Sequence, residues 1–130
     1  MPISGDRVFL WLAAVRLTPI ALGYGLLPAT SLAFLFDIDA SAINSAHIFR
    51  AVMGLYLALA AFWVAGAMKP HLRLPALYSL TVFMFGLASG RALSLVVDGI
   101  PHWLLFAYMV LEVMFGLAGL YFIGRNRASE

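Results

Sequence analysis

Residues 101–123 read PHWLLFAYMVLEVMFGLAGLYFI, a hydrophobic stretch with a single acidic residue, Glu112, near its centre. An α-helix rises about 1.5 Å per residue, so a helix over this stretch is roughly 33 Å long and crosses the hydrocarbon core of a bilayer. Glu112 then lies near the middle of the membrane, where an unpaired charge costs at least about 2.5–3.5 kcal/mol. The rest of the chain is expected to supply its partner.

The composition of the 130-residue chain is that of a membrane protein. Hydrophobic residues make up 64% of it and charged residues 11%, whereas soluble domains carry about 25% charged residues. The net charge of +2 and the lack of a basic run argue against a nucleic-acid partner, and the absence of cysteine excludes disulfides and thiolate metal sites. We predict a single integral membrane domain over residues 1–130, whose first apolar stretch is retained as a helix.

Four stretches are long and apolar enough to span a membrane. The predicted helices cover residues 7–27, 46–68, 74–97 and 101–123. Between the first two, residues 29–45 are predicted as a loop, with the LAFLF portion placed along the membrane interface. The segments KPHLRLP and Asp98-Gly99-Ile100-Pro101 are predicted turns. The predicted fold is an all-α four-helix transmembrane bundle.

The distribution of charge between the connecting segments predicts the topology. One side of the membrane receives the basic residues Arg7, Lys69, Arg73, Arg125 and Arg127, and the other receives the acidic residues Asp37, Asp39 and Asp98. Because basic residues are enriched in cytoplasmic segments, both termini are predicted to be cytoplasmic.

Small and ionisable residues recur together at helical spacing. These sets are His47, Arg50, Gly54 and Ala58 in the second helix, Ala88, Arg91, Ser94 and Asp98 in the third, and Glu112, Gly116 and Gly119 in the fourth. Small residues mark faces where membrane helices approach each other closely. The charged side chains are therefore predicted to point into the bundle.

Arg16 and Glu112 form a predicted buried charge network, because both lie near the middle of their helices. Buried ions in hydrocarbon are stabilised by pairing, so a structural salt bridge is the simplest interpretation. A proton relay or substrate site at Glu112 is the alternative. The sequence leaves open whether Glu112 pairs with Arg16 or with an arginine nearer the other side.

His47, Arg50, Arg91 and Asp98 are predicted to lie near the non-cytoplasmic side. One interpretation is a shallow cationic pocket for an anionic or strongly polar head group, since arginine is a planar donor of several hydrogen bonds. The alternative is a set of salt bridges, from Asp98 to Arg91 and from an aspartate of the loop to Arg50. The sequence contains no metal-ligand spacing, nucleophile motif or phosphate-binding glycine loop, so no catalytic residue, metal or cofactor is predicted.

Two segments carry a resemblance to a known family. They are HIFRAVMGLYLALA, which begins at His47, and GRALSLVVDGIP, which begins at Gly90; Glu112 and Gly116 follow. With these residues the chain resembles the bacterial membrane family catalogued as domain of unknown function 4345. The resemblance implies a compact four-helix protein of the bacterial inner membrane. It is also distantly similar in architecture to DoxX- and DoxD-like four-helix proteins, some of which are membrane subunits of quinone-linked oxidoreductases.

Three classes of function are compatible with these features. The first is an accessory or structural subunit of a larger membrane complex, or a lipid-binding bundle, with membrane lipids and other membrane subunits or a second copy as partners. The second is a small proton-coupled transporter in which Glu112 titrates. The third is an intramembrane enzyme acting on a lipid-like or quinone-like substrate.

Overall fold

A computed structural model of the chain describes residues 4–128, and within that range every regular element is an α-helix. The helices are α1 (Gly5–Gly25), α2 (Pro28–Phe36), α3 (Ile43–Met68), α4 (Pro70–Val97) and α5 (Trp103–Ala128). The all-α class is thereby confirmed. Residues 1–3 and 129–130 of the predicted domain lie outside the described residues.

Four of the helices, α1, α3, α4 and α5, are long and apolar enough to cross a membrane. At nine residues, α2 is only about 13 Å long and cannot span one. Large hydrophobic side chains cover the outside of the bundle; Val15, Val82 and Val96, for example, are 64%, 71% and 86% exposed. Such a surface requires a lipid environment, so the molecule is a multi-pass membrane protein.

The short helix α2 forms in the segment that the sequence predicts as a loop. Pro28 occupies the first turn, where proline is favoured because the missing N–H would have no partner there. The helix ends at Phe36, because the next residue, Asp37, has a left-handed conformation (φ 60°, ψ 39°) that does not continue the helix. Leu32 and Phe36 are buried, so α2 packs onto the bundle through part of the LAFLF segment.

The connection between α3 and α4 is much shorter than the predicted turn. Only Lys69 separates the two helices, because Pro70 begins α4 and the helix continues through Pro75. Two arginines donate hydrogen bonds to the carbonyl oxygen of Ala67 at the C-terminus of α3: Arg7 Nε at 2.9 Å and Arg73 Nη2 at 3.1 Å. These cations satisfy the helix end and complement its dipole.

The packing order of the helices determines which side chains meet. The helix α1 packs along α3, and α4 packs against both α3 and α5. By contrast, α1 meets α5 largely through aromatic rings, with Phe9 stacked on Phe115 and Phe122 at centroid distances of 5.5 and 5.0 Å. The helix α2 covers one end of the bundle, where Phe36 contacts Tyr24 of α1 and Tyr108 of α5.

Close packing between α4 and α5 depends on glycine in α5. A Cβ at Gly116 would lie 2.9 Å from the ring of Phe85, and a Cβ at Gly119 would collide with the hydroxyl of Thr81. The two helices therefore approach more closely than alanine would allow. This approach brings the side chains of α4 that point toward α5 within reach of Glu112.

The two ends of the bundle differ in composition. The α2 end contains α2, the start of α3 and the link from α4 to α5. The basic end contains Arg7, Lys69, Arg73, Arg125 and Arg127. At the α2 end, the Ser41 hydroxyl and amide donate hydrogen bonds to Asp39 Oδ1 at 2.7 and 3.1 Å. The hydroxyl and then the amide lower the pKa of Asp39, so the α2 end keeps this negative charge at neutral pH.

Candidate functional site

The centre of the candidate site is a salt bridge between α4 and α5. Arg91 Nε donates to both carboxylate oxygens of Glu112, at 3.1 Å to Oε1 and 2.9 Å to Oε2. The Glu112 side chain is 4% exposed and the Arg91 side chain 23% exposed. The carboxylate is thus sealed inside the bundle, whereas the arginine still reaches the surface.

Arg16 of α1 lies beside this pair without forming a salt bridge to it. Its guanidinium is attracted by Glu112 and repelled by Arg91, and it sits over the ring of Phe115 at 5.1 Å, within cation–π range. Its Nε is buried and has no hydrogen-bond partner among the described residues. We refer to Arg16, Arg91 and Glu112 as the charge cluster.

Three tyrosines from different helices surround the charge cluster. Tyr24 of α1 lies beside the Arg91 guanidinium, Tyr56 of α3 faces all three charged groups, and Tyr108 of α5 faces both arginines. Their rings contact one another or shared neighbours: Tyr24 meets Tyr56 edge to face at 5.8 Å, and Phe36 meets both Tyr24 and Tyr108. The charge cluster is therefore a polar centre surrounded by aromatic rings.

A groove between α4 and α5 leads to Arg91 from the membrane-facing surface. Its volume is about 120 Å³, and it is lined by Arg91, Ser94, Leu95, Pro101, Leu105, Phe106 and Met109. Sites that enclose a drug-sized ligand measure roughly 300–1,000 Å³. The groove is therefore large enough for one end of a molecule, with the remainder lying in the surrounding lipid.

The structure gives Glu112 a different partner from the one favoured by the simplest interpretation of the sequence. Glu112 and Arg16 lie in one cluster, but the salt bridge is made by Arg91, which the sequence places nearer the end of its helix. The reason is the packing order, since α4 is the close neighbour of α5 and α1 is held away from α5 by phenylalanine rings.

The residues of the predicted head-group pocket have separate partners in the structure. Arg50 Nη1 donates to the carbonyl oxygens of Gly25 and Leu26, both at 3.3 Å, and so satisfies the C-terminus of α1. Asp98 accepts a hydrogen bond of 2.8 Å from the Ser94 hydroxyl, and His47 is exposed at the start of α3. Within residues 4–128, no hydrogen bond or ion pair joins His47, Arg50, Arg91 and Asp98 to one another. Among the described residues, the alternative salt bridges, Asp98 to Arg91 and a loop aspartate to Arg50, are also not formed.

The orientation predicted from small residues holds for one helix and fails for another. In α5, Glu112, Gly116 and Gly119 are buried. In α3, the predicted inward face is wrong, because His47, Arg50, Gly54 and Ala58 are exposed. The buried face of α3 instead carries Tyr56, Ala60, Trp63, Gly66 and Ala67. Small size alone does not distinguish a face that packs within the chain from one that faces outward.

The site residues predicted from the sequence do not include the three tyrosines, Tyr24, Tyr56 and Tyr108. A detectable signal was present, since a buried tyrosine hydroxyl usually has a polar partner and these tyrosines lie within apolar helices. No three histidine, aspartate or glutamate side chains among the described residues are grouped closely enough to hold a metal ion.

Comparison with known proteins identifies a family without extending to a function. No curated protein and no solved structure matches the chain. The family described as "Domain of unknown function (DUF4345)" matches residues 6–123, which include the charge cluster, its tyrosines and the groove. The chain therefore belongs to the DUF4345 family.

Proposed function

We propose that this protein binds an amphiphilic, lipid-like molecule in the groove between α4 and α5, with the polar head of that molecule at Arg91. The observation that carries the proposal is the groove itself, in which a partly exposed guanidinium lies at the base of an otherwise largely apolar surface. Because the groove lies on the membrane-facing surface, a water-soluble ligand would have to enter the hydrocarbon core to reach it. A membrane amphiphile reaches it by lateral diffusion.

The chemistry of Arg91 suits this role. Its Nε is committed to Glu112, and a guanidinium has five N–H donors, so donors remain for a second acceptor. Ser94, one turn further along α4, adds a hydroxyl to the lining. An amphiphile would thus receive hydrogen bonds at its head and apolar contact from Leu95, Phe106 and Met109 along its first carbon atoms.

The test compares two tryptophan substitutions on α4. Leu95→Trp fills the groove, whereas Leu93→Trp adds the same side chain at a position that is 65% exposed to lipid. After gentle extraction of each protein from its membrane, native mass spectrometry measures the fraction carrying a bound amphiphile. We expect Leu95→Trp to lose the bound molecule and Leu93→Trp to retain it. Equal occupancy in both variants, with both correctly folded, would refute the proposal.

A second candidate function is that of an accessory subunit in a larger membrane complex, associating with a helix of another subunit. It is supported by Gly54, Gly86 and Gly90, where a Cβ would meet no atom within 4 Å. These glycines leave flat surfaces on α3 and α4, and flat surfaces of this kind favour close contact with another membrane helix. Native mass spectrometry at endogenous expression tests this function: co-purification with a different membrane protein supports it, and release of the chain alone or only with itself counts against it.

The proposed setting is the bacterial cytoplasmic membrane, with both termini and the basic end in the cytoplasm. The proposal is supported by the segregation of charge, since Arg7, Lys69 and Arg73 lie at one end and Asp37, Asp39 and Asp98 at the other.

A further inference from the structure

The charge cluster carries an imbalance of charge. It contains two arginines, which are positive at all relevant pH values, and one glutamate, so an ionised Glu112 leaves a net charge of +1. The described residues that face the cluster add tyrosines and no second carboxylate. An uncompensated charge inside a membrane protein is costly, and the cost falls when an anion binds beside it.

Arg16 provides independent evidence of the imbalance. Arg91 uses its Nε for Glu112, but the buried Nε of Arg16 has no acceptor among the described residues. Glu112 attracts Arg16 and Arg91 repels it, so the two cations share a single anion. A negative charge at the open side of Arg91 would lessen the repulsion between the guanidinium groups.

The position of the groove determines where such an anion can enter. Of the two arginines, Arg91 lines the groove and Arg16 does not. A head group that enters between α4 and α5 therefore contacts Arg91 directly and experiences Arg16 through the low-dielectric interior, where Coulomb interactions are strong.

We infer that the amphiphile bound in the groove is anionic and carries one net negative charge, as a fatty-acid carboxylate or a phosphodiester lipid without a cationic head group does, and that Arg16 provides the excess positive charge that selects it. This inference rests on the proposed function and adds the chemical class of the ligand. Arg16 acts here as a residue that sets charge specificity, without touching the ligand.

The experiment uses two probes that share one alkyl chain. Hexadecyl sulfate is a monoanion and hexadecanol is neutral, and each is incorporated at equal mole fraction into phosphatidylcholine nanodiscs containing the full chain. Native mass spectrometry measures occupancy over a range of mole fractions. Because hydrogen bonds between ionised groups are stronger than those to a neutral hydroxyl, we expect the sulfate to bind about tenfold or more tightly than the alcohol.

Arginine variants separate charge selection from other effects. Arg16→Gln leaves the Arg91–Glu112 pair electrically balanced, so it should abolish the preference for the sulfate, and Arg16→Lys should restore it. Arg50→Gln is the matched control, because it removes one positive charge from an exposed arginine that lies outside the cluster. This control should retain the preference. Mass spectrometry of the lipid extracted with the native protein then distinguishes a phospholipid from a fatty acid.

The outcomes separate this inference from the proposed function. If sulfate and alcohol bind equally and Leu95→Trp removes both, the groove binds amphiphiles and the inferred charge selection is wrong. If the preference persists in Arg16→Gln, or disappears equally in Arg50→Gln, Arg16 does not set it. If neither probe binds in a manner sensitive to Leu95→Trp, the proposed function itself is refuted.

Discussion

At the scale of single residues, the main result is that Glu112 is paired across α4 and α5 rather than across α1 and α5. Position along a helix predicts depth in the membrane, and on that basis Arg16 and Glu112 match well. Depth is only one coordinate, however. The partner also depends on which helix lies beside α5 and on the length of each side chain. The long, flexible side chain of Arg91 reaches Glu112 although the two residues differ slightly in depth.

The Arg91–Glu112 pair predicts a characteristic pattern of stability in single and double variants. Arg91→Met removes both hydrogen bonds to the buried Glu112 carboxylate and leaves only Arg16, which attracts Glu112 without forming a salt bridge to it, so we expect a loss of about 3–5 kcal/mol in the free energy of unfolding. The double variant Arg91→Met/Glu112→Met removes both charges at similar volume and should be close to the wild type. Thermal unfolding in detergent, followed by circular dichroism, gives the comparison. A double variant as unstable as the single one would show that the pair is needed for folding in its own right.

At the scale of helices, the four long segments are predictable because their apolar length is a property of the sequence alone. The short helix α2 and the one-residue link at Lys69 are not. In the sequence, Pro28 and Pro70 follow the ends of predicted helices, yet in both places proline starts a new helix, which its fixed φ allows. The outward face of α3 is also missed, because in a membrane protein apolar residues occupy both the buried and the lipid-facing sides.

The packing of α4 against α5 predicts different responses at two glycines. In Gly119→Ala the new methyl group collides with the Thr81 hydroxyl, which is itself held by a 2.8 Å hydrogen bond to the Leu77 carbonyl oxygen. We expect a loss of about 1–3 kcal/mol in the free energy of unfolding. Gly90→Ala is the control, because a Cβ there meets no atom within 4 Å, and alanine favours the helix by about 0.5–1 kcal/mol. Similar losses in both variants would indicate that Gly90 is also packed, against a partner chain.

At the scale of the whole molecule, charge is separated along the axis of the bundle. The basic end includes two arginines that also donate hydrogen bonds to the Ala67 carbonyl oxygen near the end of α3, so part of its charge has a structural role. The topology proposed from this separation depends on the number of membrane crossings as well as on the charges of each connecting segment.

The absence of native cysteine allows the topology to be measured with single introduced thiols. Ile100→Cys places a thiol at the α2 end, at a side chain that is 89% exposed. Lys69→Cys places one at the basic end, at an exposed residue between α3 and α4. In intact cells, a membrane-impermeant maleimide should label the first variant and leave the second unlabelled until the membrane is opened. The reverse pattern would place the termini on the non-cytoplasmic side.

The link at Lys69 also has a mechanical consequence. With one residue between the helices, the ends of α3 and α4 at Met68 and Pro70 are separated by no more than about 7.6 Å, two Cα–Cα steps. Arg7 and Arg73 both donate hydrogen bonds to the Ala67 carbonyl oxygen and further restrain this connection. The link from α4 to α5 spans residues 98–102 and includes Gly99 at φ 103°, so it is longer and contains the residue type best able to change conformation. If the groove widens on ligand binding, we therefore expect α5 to move about Gly99 while α3 and α4 keep their relative positions.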